Sequence, residues 1–419
     1  MSNKNSILII ITIIVLLTGG LIFFFLSSGD KTGTNNQQNN TVDTNLDPFG
    51  NTQTNKPTDT NTINNNQTTT QNKEEKVLSQ IYSNPTSGAI FTKNQSNQNV
   101  LMFVDRAVGH IYEYILENET GETNRLTNTT IPKIQESVWS NNGINLILRY
   151  LNNDTDIITS FTAKISTGQK VVGVPGEITG SFLTSNIKQL VTNPAGDKIF
   201  NIVDKSDKSG TNGFTTNIDG SNKKTVFDSQ ISHWNISWPK ENTVTLTTKP
   251  SYRDYGLLYF FNPQTSSFNR ILGNITGLST ITNKDASLVA YSYSTNNSFA
   301  LGVYNVLNKI DENIQLNTLA DKCVWGNNDS KILYCAVPQS IINDNYPDAW
   351  YQGLQSFTDS IWVVNTETGD YGELYVIGEN ENAEIDAYDL KISSDDKYLS
   401  FSNKKDLSLW LLKIEIPQL

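Results

Sequence analysis

A short unit recurs along residues 77–414: an apolar strand, a turn of small polar residues, and a second apolar strand. It is clearest at Val138-Trp139-Ser140-Asn141-Asn142-Gly143, followed by Ile144-Asn145-Leu146-Ile147-Leu148. The same register returns at Thr192-Asn193-Pro194-Ala195-Gly196, Trp238-Pro239-Lys240-Glu241-Asn242, Thr282-Asn283-Lys284-Asp285-Ala286, Trp325-Gly326-Asn327-Asn328-Asp329 and Ser393-Ser394-Asp395-Asp396-Lys397. From Trp139 these anchors advance by 53, 46, 44, 43 and 68 residues. A four-stranded blade with three turns needs roughly 40–50 residues, so the period predicts a β-propeller.

A second turn, rich in Gly, Asn, Asp and Ser, follows each anchor and reverses the chain between a blade's third and fourth strands. Gly168, Gly220 and Ser266 lie 29, 28 and 28 residues after their anchors, whereas Gly369 lies 44 after Trp325. The sixth unit therefore carries an insertion of about 15 residues, near 338–359. Counting back from Gly121 places the first anchor near Thr92 and makes seven. The last unit, with strands near Asp389–Ile392, Tyr398–Phe401 and Leu407–Ile414, lacks a fourth. Residues 77–82 precede the first anchor without a blade of their own. Pairing the two loose ends closes the ring and removes two exposed strand edges. Between the turns, β-branched and aromatic residues alternate with polar ones, as in Ser287-Leu288-Val289-Ala290-Tyr291-Ser292-Tyr293. The expected fold is all-β, a seven-bladed propeller over 76–419 with strands from both ends closing it.

These residues resemble the TolB-like family of WD40-like propellers, whose repeats run approximately Trp-Ser-Pro-Asp-Gly, Lys-Lys-Ile-Ala-Phe and later Asp-Gly-Gly. The Pro-Asp of that repeat is here Asn141-Asn142, Asn327-Asn328 or Ser394-Asp395, and Asp219-Gly220 and Thr368-Gly369 keep the second turn. The resemblance covers the whole ring and implies a fold. TolB-like propellers bind unrelated partners, so it implies no activity.

Ahead of the ring, Ser6 to Leu26 is a run of 21 residues without a charge. At 1.5 Å per residue it matches a hydrocarbon core of about 30 Å. A secretory signal is the rival reading, but its apolar run is only about 7–15 residues and Ser27-Ser28-Gly29 is a poor cleavage site. The reading is a short cytoplasmic tail over 1–5, a transmembrane signal anchor over 6–26 and an extracytoplasmic remainder. Lys4 and the amino terminus give a slight positive-inside bias. Residues 27–75 are largely Asn, Thr and Gln, with too little apolar surface to offset the entropy of ordering, and read as a disordered linker. Its root-mean-square reach is on the order of 40 Å. A formal net charge of −11 argues against nucleic acid as a partner.

Little in the chain reads as catalysis. His110 and His233 are its two histidines, far apart in the repeat order. There is no His-Glu-x-x-His, Cys-x-x-Cys, Gly-x-Ser-x-Gly or phosphate-cradling glycine loop, so no catalytic, metal or cofactor residue is assigned. The insertion carries Tyr346, Trp350 and Tyr351. Aromatics on a long loop are candidate partner anchors, or they fold back and cap their own blade. Eight acids between Glu367 and Asp389 have no Lys or Arg among them. They read as solvated turns, or as a site for calcium or a basic partner. Cys323 and Cys335, 12 residues apart about a turn, are either a disulfide or two buried thiols. Trp139, Trp238 and Trp325 hold equivalent positions and should pack between blades. The expected function is a non-catalytic, membrane-tethered module that binds protein or cell-envelope polymer through the 338–359 loop, a loop dispensable for folding. The alternative is a glycan hydrolase or lyase with paired carboxylates at the mouth.

Overall fold

The computed structural model describes residues 77–415, apart from 118–120, 142, 153–156, 166–174, 379–380 and 382. The anchor expected at 6–26 and the linker at 27–75 lie outside the described residues, as does Gly168. Seven four-stranded antiparallel sheets follow one another along the chain. The protein is a seven-bladed β-propeller.

Blades 1 to 6 occupy residues 86–125, 134–182, 187–229, 234–276, 279–314 and 323–376 in sequence order, each meandering from its innermost strand outward. Blade 7 is composite. Its inner three strands are Ala387–Ile392, Tyr398–Asn403 and Leu409–Lys413, and its outer strand is Leu78–Tyr82 from the other end of the ring. Leu78 lies opposite Leu412 and Gln80 opposite Trp410, the closure read from the two loose ends. Tyr82 then ties this strand to blade 1, its hydroxyl donating to Asp105 Oδ2 at 2.6 Å.

The anchors fall at or within two residues of the end of an innermost strand: Trp139 closes Ile134–Trp139, Thr192 closes Ile187–Thr192 and Trp325 closes Cys323–Trp325. The polar turns that follow latch each blade to the next. Asn193 Nδ2 donates to Glu241 at 3.1 Å, Asn283 Nδ2 to the Ser330 carbonyl at 3.2 Å, and Asp396 accepts the Asn327 amide at 2.7 Å. Asn and Asp at these positions thus do more than turn the chain, because their side chains satisfy groups of the neighbouring turn. The second turns use left-handed residues, with Gly220 at φ 84°, Ser266 at 58° and Gly369 at 82°.

The core is divided among the junctions. Seven apolar clusters among the described residues each join two adjacent blades, from Val104, Leu126, Ile134 and Leu148 between blades 1 and 2 to Phe103 and Leu411 between blades 7 and 1. Trp139, Trp238 and Trp325 sit in these clusters, as their equivalent positions imply. Trp139 Nε1 reaches the Gly88 carbonyl of the preceding blade at 3.4 Å, and Trp325 Nε1 the Ile281 carbonyl at 3.2 Å. The second strand of each blade departs from simple alternation. In Asn99–Asp105 six consecutive residues are buried, and in Leu288–Thr295 four are. A middle strand has a neighbouring blade on both faces, so it needs apolar residues on both.

Cys323 and Cys335 are directly opposite in the first two strands of blade 6 and form a disulfide, with a Cα separation of 4.1 Å. The bond closes a loop of 12 residues, worth about 3 kcal/mol in the chain-entropy account. The double substitution C323A/C335A should lower the urea-unfolding free energy by that order, and an unchanged midpoint would show the bond to be absent or redundant.

Candidate functional site

The insertion leaves blade 6 between the strands Ile332–Pro338 and Asp359–Asn365, the place marked by the long spacing to Gly369. It contains one helical turn, Asp348–Tyr351. Tyr346 and Trp350 are not surface anchors: they are 1% and 4% exposed. With Ala349 and Phe357 they join Phe299 of blade 5 and Leu319 in an eighth apolar cluster. Nor do they cap their own blade alone. Asp348 Oδ2 accepts the Tyr252 amide of blade 4 at 2.7 Å, and the Tyr346 carbonyl accepts Ser294 Oγ of blade 5 at 2.5 Å. Trp350 Nε1 donates to Asp386, at the entrance to blade 7, at 3.0 Å. The loop is a plug that spans four blades. Removing 338–359 would take out this cluster and the first residue of a central strand, which argues against the expectation that folding is indifferent to the loop.

A buried charge cluster fastens the plug. Lys322, in the short 3-10 turn Ala320–Lys322, is fully buried. Its ammonium contacts Asp359 Oδ2 at 2.9 Å, the Asp386 carboxylate, and the Ala387 carbonyl at 2.9 Å. Asp386 also accepts Ser356 Oγ at 3.0 Å and the Phe357 amide at 3.1 Å. Asp359 is less well served. Its Oδ2 takes the Ala387 amide at 2.7 Å, while Oδ1 has no partner among the described residues. Burial pushes the Asp359 carboxyl up to about 6, against the pull of Lys322 and with Asp386 adding to the rise.

The acidic stretch 367–389 disperses accordingly. Glu367 pairs with Lys331, Glu384 with Lys405 and Asp389 with Lys391, and Asp386 enters the buried cluster. No group of three or more metal-ligating side chains occurs among the described residues. Of the histidines, His110 on the first blade meets Thr130 at 3.1 Å, and blades 2 and 3 separate it from His233.

Below the plug lies a cavity of about 800 Å³, within the range of small-molecule sites. The innermost strands of blades 1, 2, 3 and 7 wall it, and Trp350 and Tyr351 face it from the insertion. Three acids and three bases line it. Each acid is engaged: Glu136 with Arg149 at 2.6 Å, Asp389 with Lys391 at 2.7 Å, and Asp321 with the Tyr351 hydroxyl at 2.8 Å. The remaining bases, Arg106 and Lys404, have no carboxylate within ion-pairing distance among the described residues. Arg106 Nη2 donates to Gln135 at 2.7 Å, and the Lys404 ammonium stands 5.0 Å from the Trp350 ring centre. Burial pushes the Lys404 ammonium down, with Asp386 opposing and Lys322 adding to the fall. Tyr388 also lines the cavity, its phenol raised to about 12 by burial and by Asp389, with Arg106 opposing. The sequence marks none of these residues, although Arg106 is one of only five arginines.

No protein-family model and no curated protein matches the chain. Solved structures do. An oligogalacturonate lyase in complex with manganese superposes with a TM-score of 0.53 at 11% identity, over 81% of this chain and 90% of the other. The β-propeller domain of the Trilobed protease from Pyrococcus furiosus gives 0.51 at 10% identity, over 78% and 95%. At such identities the likeness is one of fold. The latter domain is described as an open velcro topology, whereas here Leu78–Tyr82 pairs with Leu409–Lys413.

Proposed function

We propose that the chain is a membrane-tethered, extracytoplasmic propeller of TolB-like type that binds a protein or cell-envelope polymer without catalysis. Residues 6–26 serve as the anchor and 27–75 as the spacer that lets the ring reach its partner. The observation that carries the reading is the plug. It is pinned across four blades by buried side chains, yet it leaves Ile342 and Leu354 65% and 70% exposed. Large apolar side chains held out on a rigid platform suit recognition of a protein surface, since little entropy remains to be lost on docking. Tyr346 and Trp350 then support the platform, and Tyr351 belongs to the cavity wall.

The test is proximity crosslinking in cells with the full chain and with I342D/L354D. Both side chains are solvent-facing, so thermal stability should change by no more than about 0.5 kcal/mol. A specific partner recovered with the unaltered chain should be lost with the double variant. Recovery that is unaffected would remove the plug face from the reading.

A further inference from the structure

We propose that the cavity beneath the plug is a receptor for a small oxyanion, with Arg106 and Lys404 taking its carboxylate or phosphate and Trp350 and Tyr388 lying against its ring. This site goes beyond docking at the plug's outer face and does not depend on it.

The argument is one of local charge. The chain carries −11 overall, and most lysines near acids are used in pairs, as at Lys331, Lys391 and Lys405. In the cavity acids and bases are equal in number, three of each, but they are not all paired with one another. Its three acids are satisfied by Arg149, by Lys391 and by the hydroxyls of Tyr351 and Ser279. Arg106 and Lys404 face the same space without an acid. Asp386, the acid that acts on Lys404, is already shared among Lys322, Trp350, Ser356 and Phe357. An ammonium held half-buried with no counter-ion costs free energy that an entering anion recovers, and the low dielectric strengthens that pairing. Arginine adds a planar fork that fits two oxygens at once.

The aromatic groups set the rest of the ligand. The Trp350 indole is fixed through Nε1 to Asp386, and Tyr388 lies opposite Ser402 in the inner strands of blade 7. Both line the cavity beside the two cations. A cavity of about 800 Å³ accommodates a molecule the size of a sugar acid or sugar phosphate.

The experiment is isothermal titration of the full chain in detergent with glucuronate, glucose 6-phosphate and glucose, three ligands that share a ring and differ in charge. One or both anions should bind, more weakly as salt rises, while glucose should not. Which anion binds more tightly tells a carboxylate site from a phosphate site. R106Q and K404M should each weaken the bound anion on the order of tenfold, the scale of one charge-assisted contact. Both variants keep most of the side-chain bulk at partly exposed positions, and thermal melts check that they fold. Equal binding of glucose, no binding of either anion to the unaltered chain, or affinity unchanged in both variants would overturn the proposal. Partner recovery that persists in R106Q/K404M while anion binding is lost would separate this site from the docking face.

Discussion

Replacing Lys322 by Met should destabilise the propeller by about 3–5 kcal/mol, because two carboxylates then remain buried with no cation between them. The side chain is fully buried, and its ammonium is shared by Asp359, Asp386 and the Ala387 carbonyl. Asp359→Asn should behave differently. An amide oxygen still accepts from Lys322 and the Ala387 amide, and its NH2 group replaces the orphaned Oδ1. That change should be close to neutral near pH 7.5 and should alter the pH dependence. Asp359 rises from 3.8 to about 6 on folding, so the folded protein binds this proton more tightly than the unfolded chain. The contribution is fully present below about pH 4 and is lost as pH rises through about 6. It amounts to at most about 3 kcal/mol. Glu384, held low by Lys405, and Asp344, held low by the Asn345 amide, act in the opposite sense at more acid pH. The melting temperature of the unaltered protein should therefore climb between about pH 7.5 and 5, and Asp359→Asn should flatten that climb. Urea titrations of the three proteins across this range decide both points. A Lys322→Met loss below about 1 kcal/mol would mean that the cluster is hydrated and its charges cheaply reorganised.

The ring was legible because its information is local and repeated. A turn of Asn, Asp or Gly reports a reversal within four residues, and a period of some forty residues reports the blade. The long spacing from Trp325 to Gly369 located the insertion, and the spare run at 77–82 implied the closing strand, which pairs with Leu409–Lys413. The site was less legible because it is assembled from distant residues. Asp386 is one of eight acids in a tract that reads as solvated turns, and nothing in the sequence singles out Lys322. Their pairing depends on blades 6 and 7 being adjacent, which no local signal reports. The aromatics of the insertion showed their chemistry but not their direction. One signal did exist: Asp359 heads the run Asp-Ser-Ile-Trp-Val-Val, and an acid at the start of an otherwise apolar central strand requires a partner.

Truncating Trp350 to Ala should cost about 3–5 kcal/mol, the range for deleting a large buried aromatic side chain, and should loosen the plug more than the ring. The indole holds together three groups that otherwise have no reason to meet. It packs in the cluster with Tyr346 and Phe357, donates to Asp386 at 3.0 Å, and lies 5.3 Å from the Lys322 ammonium and 5.0 Å from that of Lys404. Its removal leaves Asp386 one donor short and opens the cavity toward solvent on the plug side. Trp350→Phe separates packing from hydrogen bonding: the ring is retained and the N–H lost, so about 1–3 kcal/mol is expected for the unpaired acceptor. Hydrogen exchange over 341–357 is the direct measurement. In the unaltered protein those amides should be protected like the blade strands, since the insertion is tied to blades 4, 5 and 7. In Trp350→Ala their protection should fall while that of the innermost strands of blades 2 and 3 stays. Fast exchange already present in the unaltered protein would make the insertion a mobile lid, and a docking face built on Ile342 and Leu354 would lose the rigidity on which it depends.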